Sequence, residues 1–103
     1  MAKLELISSA QVNLLNEWLD LKSALEGSSS NTLLAYKRDL IDFFSFLTLY
    51  TGCKSGVSQL EAVDQASMRS WMAENRRSGK TSRSIARQLS SVKSFYKWFA
   101  KRR

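Results

Sequence analysis

The sequence predicts an all-α protein, a compact bundle of four helices that covers about residues 10–101. Apolar residues recur at three- and four-residue intervals along almost the whole chain, and no stretch keeps a period of two. The chain contains no proline, and its 4 glycines fall between the periodic stretches. A length of 103 residues, 44% of them hydrophobic, predicts a single domain with one modest core.

The first predicted helix begins after Ser9, a suitable N-cap residue, and ends near Glu26. Residues 27–30 have the sequence GSSS and separate it from the second helix, because glycine ends helices and serine caps them. The residues predicted to face the core are Val12, Leu15, Trp18 or Leu19, and Leu25.

The second predicted helix runs from about Asn31 to Tyr50, with Ser30 as its cap. Gly52 ends it, and residues 53–59 are predicted to form a loop. Its apolar face contains Leu33, Tyr36, Leu40, Phe43, Phe44, Leu47 and Tyr50. The residues predicted to lie off that face are Lys37, Arg38, Asp42 and Ser45.

Two further helices are predicted in the second half of the chain. After a single turn at residues 60–63, Asp64 caps a helix from Gln65 to Arg77 whose inner residues are Met68, Trp71 and Met72. Gly79 ends that helix, and a last helix runs from about Arg83 to Lys101. Its predicted inner residues are Ile85, Leu89, Val92, Phe95, Tyr96 and Phe99.

Composition excludes several classes of function. The chain has no histidine and a single cysteine, Cys53, which excludes histidine-based acid–base catalysis, the usual zinc sites and an internal disulfide. No residue is predicted to be catalytic and no cofactor is expected. No apolar run approaches the ~20 residues of a membrane span, and the N-terminus does not resemble a signal peptide. We therefore expect a cytoplasmic protein with no membrane-spanning segment.

The net charge of +7 is concentrated in the second half of the chain. Residues 65–103 contain 11 basic residues and one acidic residue, Glu74, whereas residues 1–64 contain five basic and eight acidic residues. Such an asymmetry within one domain favours a polyanionic partner, either nucleic acid or an anionic membrane surface. A basic surface without a dedicated partner is the alternative at this point.

The last predicted helix combines its apolar face with a polar face free of acidic residues. Between Lys80 and Arg103 there is no aspartate or glutamate, although exposed helix faces are usually rich in Glu–Lys pairs. The polar face is predicted to present Arg83, Ser84, Arg87, Gln88, Ser91 and Ser94. Arginine and glutamine read guanine and adenine edges, so this pattern is typical of a helix that enters the major groove. A merely solvated face is the alternative.

The start of the second helix is a further candidate for phosphate binding. Ser30, Asn31 and Thr32 lie at a helix N-terminus, with Lys37 within two turns, and such a terminus favours anions. Simple capping explains the same residues. The tryptophans and other aromatic residues are interpreted as core residues rather than a base-stacking surface, because they recur at helical spacing among apolar neighbours.

Two segments resemble the N-terminal domain of Xer-type tyrosine recombinases and phage integrases. Residues 30–40, with the sequence SNTLLAYKRDL, are similar to the second helix of that domain, and residues 81–99, TSRSIARQLSSVKSFYKWF, are similar to its fourth helix. Residues 63–71, with Val63, Asp64, Met68 and Trp71, resemble the third. The first helix also fits, so the resemblance covers about residues 10–101.

The resemblance implies a four-helix SAM-like domain, a core-binding domain that forms half of a clamp on double-stranded DNA. It implies DNA contacts from the second helix by Asn31, Thr32 and Lys37. It implies further contacts at and within the fourth helix by Lys80, Thr81, Ser82, Arg83, Ser84, Arg87, Gln88 and Ser91. The chain alone is expected to be a monomer, and the full-length parent a homo-oligomer on DNA in a bacterial or phage setting.

The catalytic residues of the family belong to a C-terminal domain that this sequence does not contain. We therefore expect residues 1–103 to form one non-catalytic domain, with an N-terminal arm at residues 1–8 and a basic C-terminal end that leads to the absent catalytic domain. The competing hypothesis from another class is a helical protein-interaction module that binds an acidic partner.

Overall fold

The structure of the protein, a computed structural model, describes residues 7–52 and 56–102, and this part of the chain contains helices and no strands. The helices are α1 (Ser9–Glu26), α2 (Ser30–Thr51), α3 (Val57–Glu61), α4 (Gln65–Arg77) and α5 (Ser82–Arg102). The all-α class is confirmed. The count of four is corrected to five, because the separate short helix α3 takes up residues 57–59 of the predicted loop and the first half of the predicted single turn.

Helix α2 lies at the centre of the fold and packs against α1, α4 and α5, while α4 also contacts α5. The core between them is aromatic, as predicted: Trp18 and Trp71 are 1% exposed, and Phe43, Phe44 and Phe95 are fully buried. Their rings meet mainly edge to face, which aromatic pairs prefer. No helix in the described ranges is both long and apolar enough to cross a bilayer.

The N-caps of α1 and α2 lie one residue earlier than predicted. The side chain of Ser8, not Ser9, accepts a hydrogen bond from the Gln11 amide at 3.2 Å, and Gln11 Oε1 accepts one from the Ser8 amide. This reciprocal pair satisfies two otherwise unpaired donors. At α2 the Thr32 amide donates to Ser29 Oγ at 3.2 Å, so Ser29 rather than Ser30 is the cap. The predicted loop residue Cys53 and residues 1–6 of the predicted arm lie outside the described ranges.

For three residues the observed burial is the opposite of the predicted burial. Leu25 is 77% exposed, because the last turn of α1 borders an open groove beside α5 instead of the core. Tyr50 is 49% exposed and stacks on Phe46 near the surface. Ser45, predicted to lie off the apolar face of α2, is buried.

Helix α4 begins at the predicted cap, and this cap should make stability pH-dependent. Asp64 Oδ1 accepts hydrogen bonds from the Ser67 amide and hydroxyl, both at 2.8 Å. The hydrogen bond from the Ser67 amide is the main cause of the lowered pKa of Asp64. A carboxyl group with a lowered folded-state pKa stabilises the fold above its unfolded-state pKa, here near 3.8, and loses that contribution as pH falls through the folded-state pKa.

We therefore expect Asp64→Asn, which keeps a capping oxygen but cannot titrate, to be less stable than the wild type at neutral pH. The difference should disappear as the pH falls below 3.8. Urea unfolding of both proteins across the acid range measures this. A difference that stays constant with pH would show that the charge of Asp64 does not stabilise α4.

Candidate nucleic-acid interface

Helix α5 presents one continuous polar and basic stripe to solvent. Ile85, Val92, Phe95 and Phe99 are buried as predicted, whereas Leu89 and Tyr96, also predicted to face inward, are only partly buried. Residues that follow one another by three or four positions share a helix face. The exposed or half-exposed residues with that spacing are Arg83, Arg87, Ser90, Ser94 and Lys97, which we call the α5 stripe.

The stripe leaves out three residues of the predicted polar face, Ser84, Gln88 and Ser91, and adds Ser90 and Lys97. Gln88 is 5% and Ser91 is 2% exposed, so the expectation that they face solvent is wrong. Both flank the apolar face of α5, and each finds a polar partner at the helix boundary. Gln88 Oε1 accepts a hydrogen bond from Lys80 Nζ, and Ser91 Oγ donates one to Asp39 Oδ2 at 2.8 Å. Ser90, which was not predicted, occupies the exposed position instead.

Lys80, predicted from the resemblance to contact DNA, is engaged inside the protein. Its ammonium group donates to Asp42 Oδ2 at 2.9 Å, Asn75 Oδ1 at 3.1 Å and Gln88 Oε1 at 3.3 Å. These three acceptors use the three N–H donors of a lysine. Because the acceptors belong to α2, α4 and α5, Lys80 links three helices.

Arg87 bridges α5 and α2 while remaining accessible. Its Nη2 donates to Asp39 Oδ1 at 2.9 Å, and the Arg87 side chain is 56% exposed whereas that of Asp39 is 1% exposed. A guanidinium group carries five N–H donors, so further donors of Arg87 remain for another partner. Arg87 is therefore held at the boundary between the two helices with part of its charged group in solvent.

The residues of α2 divide between two sides of that helix. Lys37 lines a groove with Asn16 and Asp20 of α1, and it is two residues, about 200° of helix rotation, from Asp39. It therefore does not share a face with Arg87. The exposed Arg38 lies one turn before Asp42, which bonds to Lys80 ahead of α5, so Arg38 shares a helix face with Asp42.

The sequence pattern places Arg38 off the apolar face of α2 and does not predict a DNA contact there. Its spacing of two turns from Asn31 is the signal that links the two residues. Both residues are exposed and fall on the same side of α2.

The helix starts combine capping with exposed polar groups. Thr81 Oγ1 accepts a hydrogen bond from the Ser84 amide at 3.1 Å, so it caps α5, and Ser82 and Arg83 are exposed in the first turn. At α2, Thr32 is exposed but its amide is used by the Ser29 cap. Ser29 thus caps the start of α2, where Asn31 and Thr32 are exposed, and the start of α5 also presents an exposed arginine.

The charge around the α5 stripe is predominantly positive. The nearest acidic residues that the structure describes on α2 are Asp39, which is buried, and Asp42, which bonds to Lys80. Helix α5 itself contains no acidic residue. At the other end of the stripe, the exposed Glu26 of α1 lines a groove with Ser94 and Lys97 and pairs with Lys22. The charge at the boundary between α2 and α5 is therefore mainly that of arginine and lysine side chains, which suits a polyanion.

Tyr96 has the wrong environment for a nucleophile. Its hydroxyl donates to the Leu60 carbonyl at 2.9 Å, and burial raises its pKa above the ordinary value of 10.0. A nucleophilic tyrosine requires an adjacent base or a lowered pKa. Tyr96 instead links α5 to α3.

Comparison with known families identifies the class of this domain. The family model of the phage integrase N-terminal SAM-like domain matches residues 15–103, and the chain belongs to this family. The match confirms the resemblance inferred from the second and fourth predicted helices. It concerns an N-terminal domain of recombinases and does not extend to a catalytic domain.

Individual relatives carry the name tyrosine recombinase XerC. The protein from Rickettsia typhi is 35% identical over 88 residues, which are 85% of this chain and 29% of the relative. The protein from Rhodospirillum centenum is 33% identical over 72 residues, which are 70% of this chain and 21% of the relative. The chain thus spans less than a third of the length of these relatives. No solved structure matches it.

Proposed function

We propose that this chain is the DNA-binding domain of a tyrosine-type site-specific recombinase or integrase, and that α5 contacts the major groove of double-stranded DNA. The observation that carries the proposal is the α5 stripe, which is exposed, basic and free of acidic residues on a helix whose other face forms the core. The names of the relatives, tyrosine recombinases, supply the biological setting.

The proposed interface follows the boundary between α2 and α5. It retains most of the residues implied by the resemblance and leaves out Lys37, Lys80, Gln88 and Ser91. The residues that it adds are Arg38, Ser90, Ser94 and Lys97. The proposed contact residues are Asn31, Thr32, Arg38, Thr81, Ser82, Arg83, Ser84, Arg87, Ser90, Ser94 and Lys97. Arginine suits both phosphate and base contacts, and serine and threonine suit phosphates.

In this proposal the chain binds DNA and performs no chemistry by itself. None of its tyrosines lies in an activating constellation, and the buried Tyr96 has a raised pKa. The isolated chain is a monomer that binds weakly, with dissociation constants near the ~10⁻⁴–10⁻⁶ M of non-specific complexes. Oligomers on DNA and cleavage belong to the full-length parent, acting in the cytoplasm of a bacterium.

Two neighbouring residues on α2 offer a matched test of the interface. Arg38→Ala and Lys37→Ala each remove one positive charge from an exposed site, but Lys37 lines a groove beside α1, whereas Arg38 lies on the side of α2 that carries Asn31. We expect Arg38→Ala and Arg83→Ala each to weaken duplex binding by about 1 kcal/mol or more and to reduce the salt slope by about one unit per lost phosphate contact. Lys37→Ala should have a much smaller effect.

The measurement is fluorescence anisotropy with a labelled duplex of about 20 base pairs, with circular dichroism to confirm folding. Equal losses for Lys37→Ala and Arg38→Ala would mean that binding depends on total charge and not on this face. No loss for either Arg38→Ala or Arg83→Ala would exclude the proposed interface.

A further inference from the structure

Asp39 is a carboxylate held inside the protein by two polar partners. It is 1% exposed, and its two oxygens accept from Arg87 Nη2 at 2.9 Å and from Ser91 Oγ at 2.8 Å. An unpaired buried carboxylate is very costly, so Asp39 must keep charged or polar partners. Arg87 is its only ion-pair partner among the described residues.

The ion pair restrains Arg87 before any ligand arrives. A free arginine side chain carries about 2 kcal/mol of rotamer entropy, which is lost when it binds in one orientation. One donor of Arg87 is already fixed by the carboxylate of Asp39, which is buried on α2. The Arg87 side chain is 56% exposed, and the residue lies between Arg83 and Ser90 on the α5 stripe.

We propose that Asp39 is a positioning residue for DNA recognition, fixing the Arg87 guanidinium in the orientation in which its remaining donors read the major groove. This inference rests on the proposed function. Asp39 itself is too deeply buried to touch DNA. Asp39 therefore contributes to selectivity by orienting Arg87.

The direction in which Asp39→Asn changes DNA affinity separates a positioning role from a purely electrostatic one. Asp39 is an acidic residue beneath a surface that faces a polyanion, so loss of its charge alone would strengthen DNA binding. Positioning requires the opposite result for a preferred sequence. Asp39→Asn keeps the size and a hydrogen-bonding oxygen but removes the charge that holds Arg87.

The experiment uses a preferred duplex selected by the wild-type chain from a randomised pool, and the randomised pool itself as the non-specific probe. The variants are Asp39→Asn, Arg87→Ala, the double variant and Ser91→Ala. Ser91→Ala is the matched control, because it removes the other hydrogen bond to Asp39 and leaves the ion pair intact. Thermal unfolding is recorded for every variant.

We expect Asp39→Asn to bind the preferred duplex about three- to tenfold more weakly, within the range of couplings between contacting residues. Its binding to the randomised pool should be unchanged or stronger. In the Arg87→Ala background, Asp39→Asn should have no further effect on selectivity. Ser91→Ala should keep the selectivity of the wild type. Side-chain ¹⁵N relaxation should show the Arg87 guanidinium more ordered than that of Arg83 in the free protein.

Three results would overturn the inference. The first is that Asp39→Asn binds both probes more tightly than the wild type. The second is that Asp39→Asn reduces selectivity as much in the Arg87→Ala background as in the wild type. The third is that the Arg87 guanidinium is as mobile as that of Arg83 in the free wild type. The relaxation measurement decides the question even if Asp39→Asn fails to fold. Failure of the wild-type chain to bind any duplex would instead reject the proposed function. If Arg87→Ala loses binding and Asp39→Asn does not, only the role of Asp39 is rejected.

Discussion

Replacing Phe95 with alanine is expected to lower the free energy of unfolding by about 3–5 kcal/mol, the range for large aromatic residues in protein cores. The Phe95 ring is fully buried and lies 5.6 Å from that of Trp18 on α1 and 5.5 Å from that of Phe44 on α2, measured between ring centroids. Its loss leaves a cavity where three helices meet. Small domains are stable by only about 5–15 kcal/mol, so the variant should be close to unfolding.

The control for Phe95→Ala is Leu25→Ala. The sequence pattern predicts both residues inside, but Leu25 is 77% exposed, so its replacement should change stability by about 0.5 kcal/mol or less. Urea unfolding followed by circular dichroism gives both values. A similar cost for the two substitutions would contradict the packing described for α1 and α5.

Replacing Lys80 with methionine is expected to cost about 2–4 kcal/mol of stability. The substitution keeps the aliphatic stem but removes the ammonium group, and thereby leaves acceptors on Asp42, Asn75 and Gln88 without that donor. Asn75 and Gln88 are 3% and 5% exposed, and a buried polar group without a partner costs about 1–3 kcal/mol. The partial exposure of Lys80 and Asp42 limits the total.

Lys93→Met is the matched control, because Lys93 is an exposed lysine of α5 and its replacement should change stability by no more than about 0.5 kcal/mol. Chemical unfolding of the two variants and the wild type provides the comparison. If Lys80→Met proved as stable as Lys93→Met, Lys80 would be available for the DNA contact that the sequence predicts.

The sequence predicts the helices well because their signal is local. Apolar spacing and the glycine positions place four helices close to their observed bounds, and Asp64 is the cap that the pattern predicts. The caps of α1 and α2 are shifted by one residue because serine runs offer several equivalent candidates. Only the backbone geometry at Ser8 and Ser29 selects among them.

The candidate site is less predictable because its geometry depends on contacts between distant segments. The inward orientation of Ser91 follows from Asp39, 52 residues earlier, and that of Gln88 follows from Lys80. Periodicity assigns a polar residue to the surface and cannot detect such a partner. The basic character of α5 is visible in the sequence, whereas the exact stripe and the inclusion of Arg38 require the packing of α2 against α5.

The salt dependence of duplex binding by the wild-type chain tests the central claim most directly. If α5 and α2 neutralise four to six phosphates, a plot of log K against log salt between about 50 and 200 mM should be linear with a slope of roughly −4 to −5. Replacement of the duplex by an acidic protein partner at the same salt should give weaker binding. A slope near zero, or no duplex binding at low salt, would contradict the account and favour a protein-interaction module.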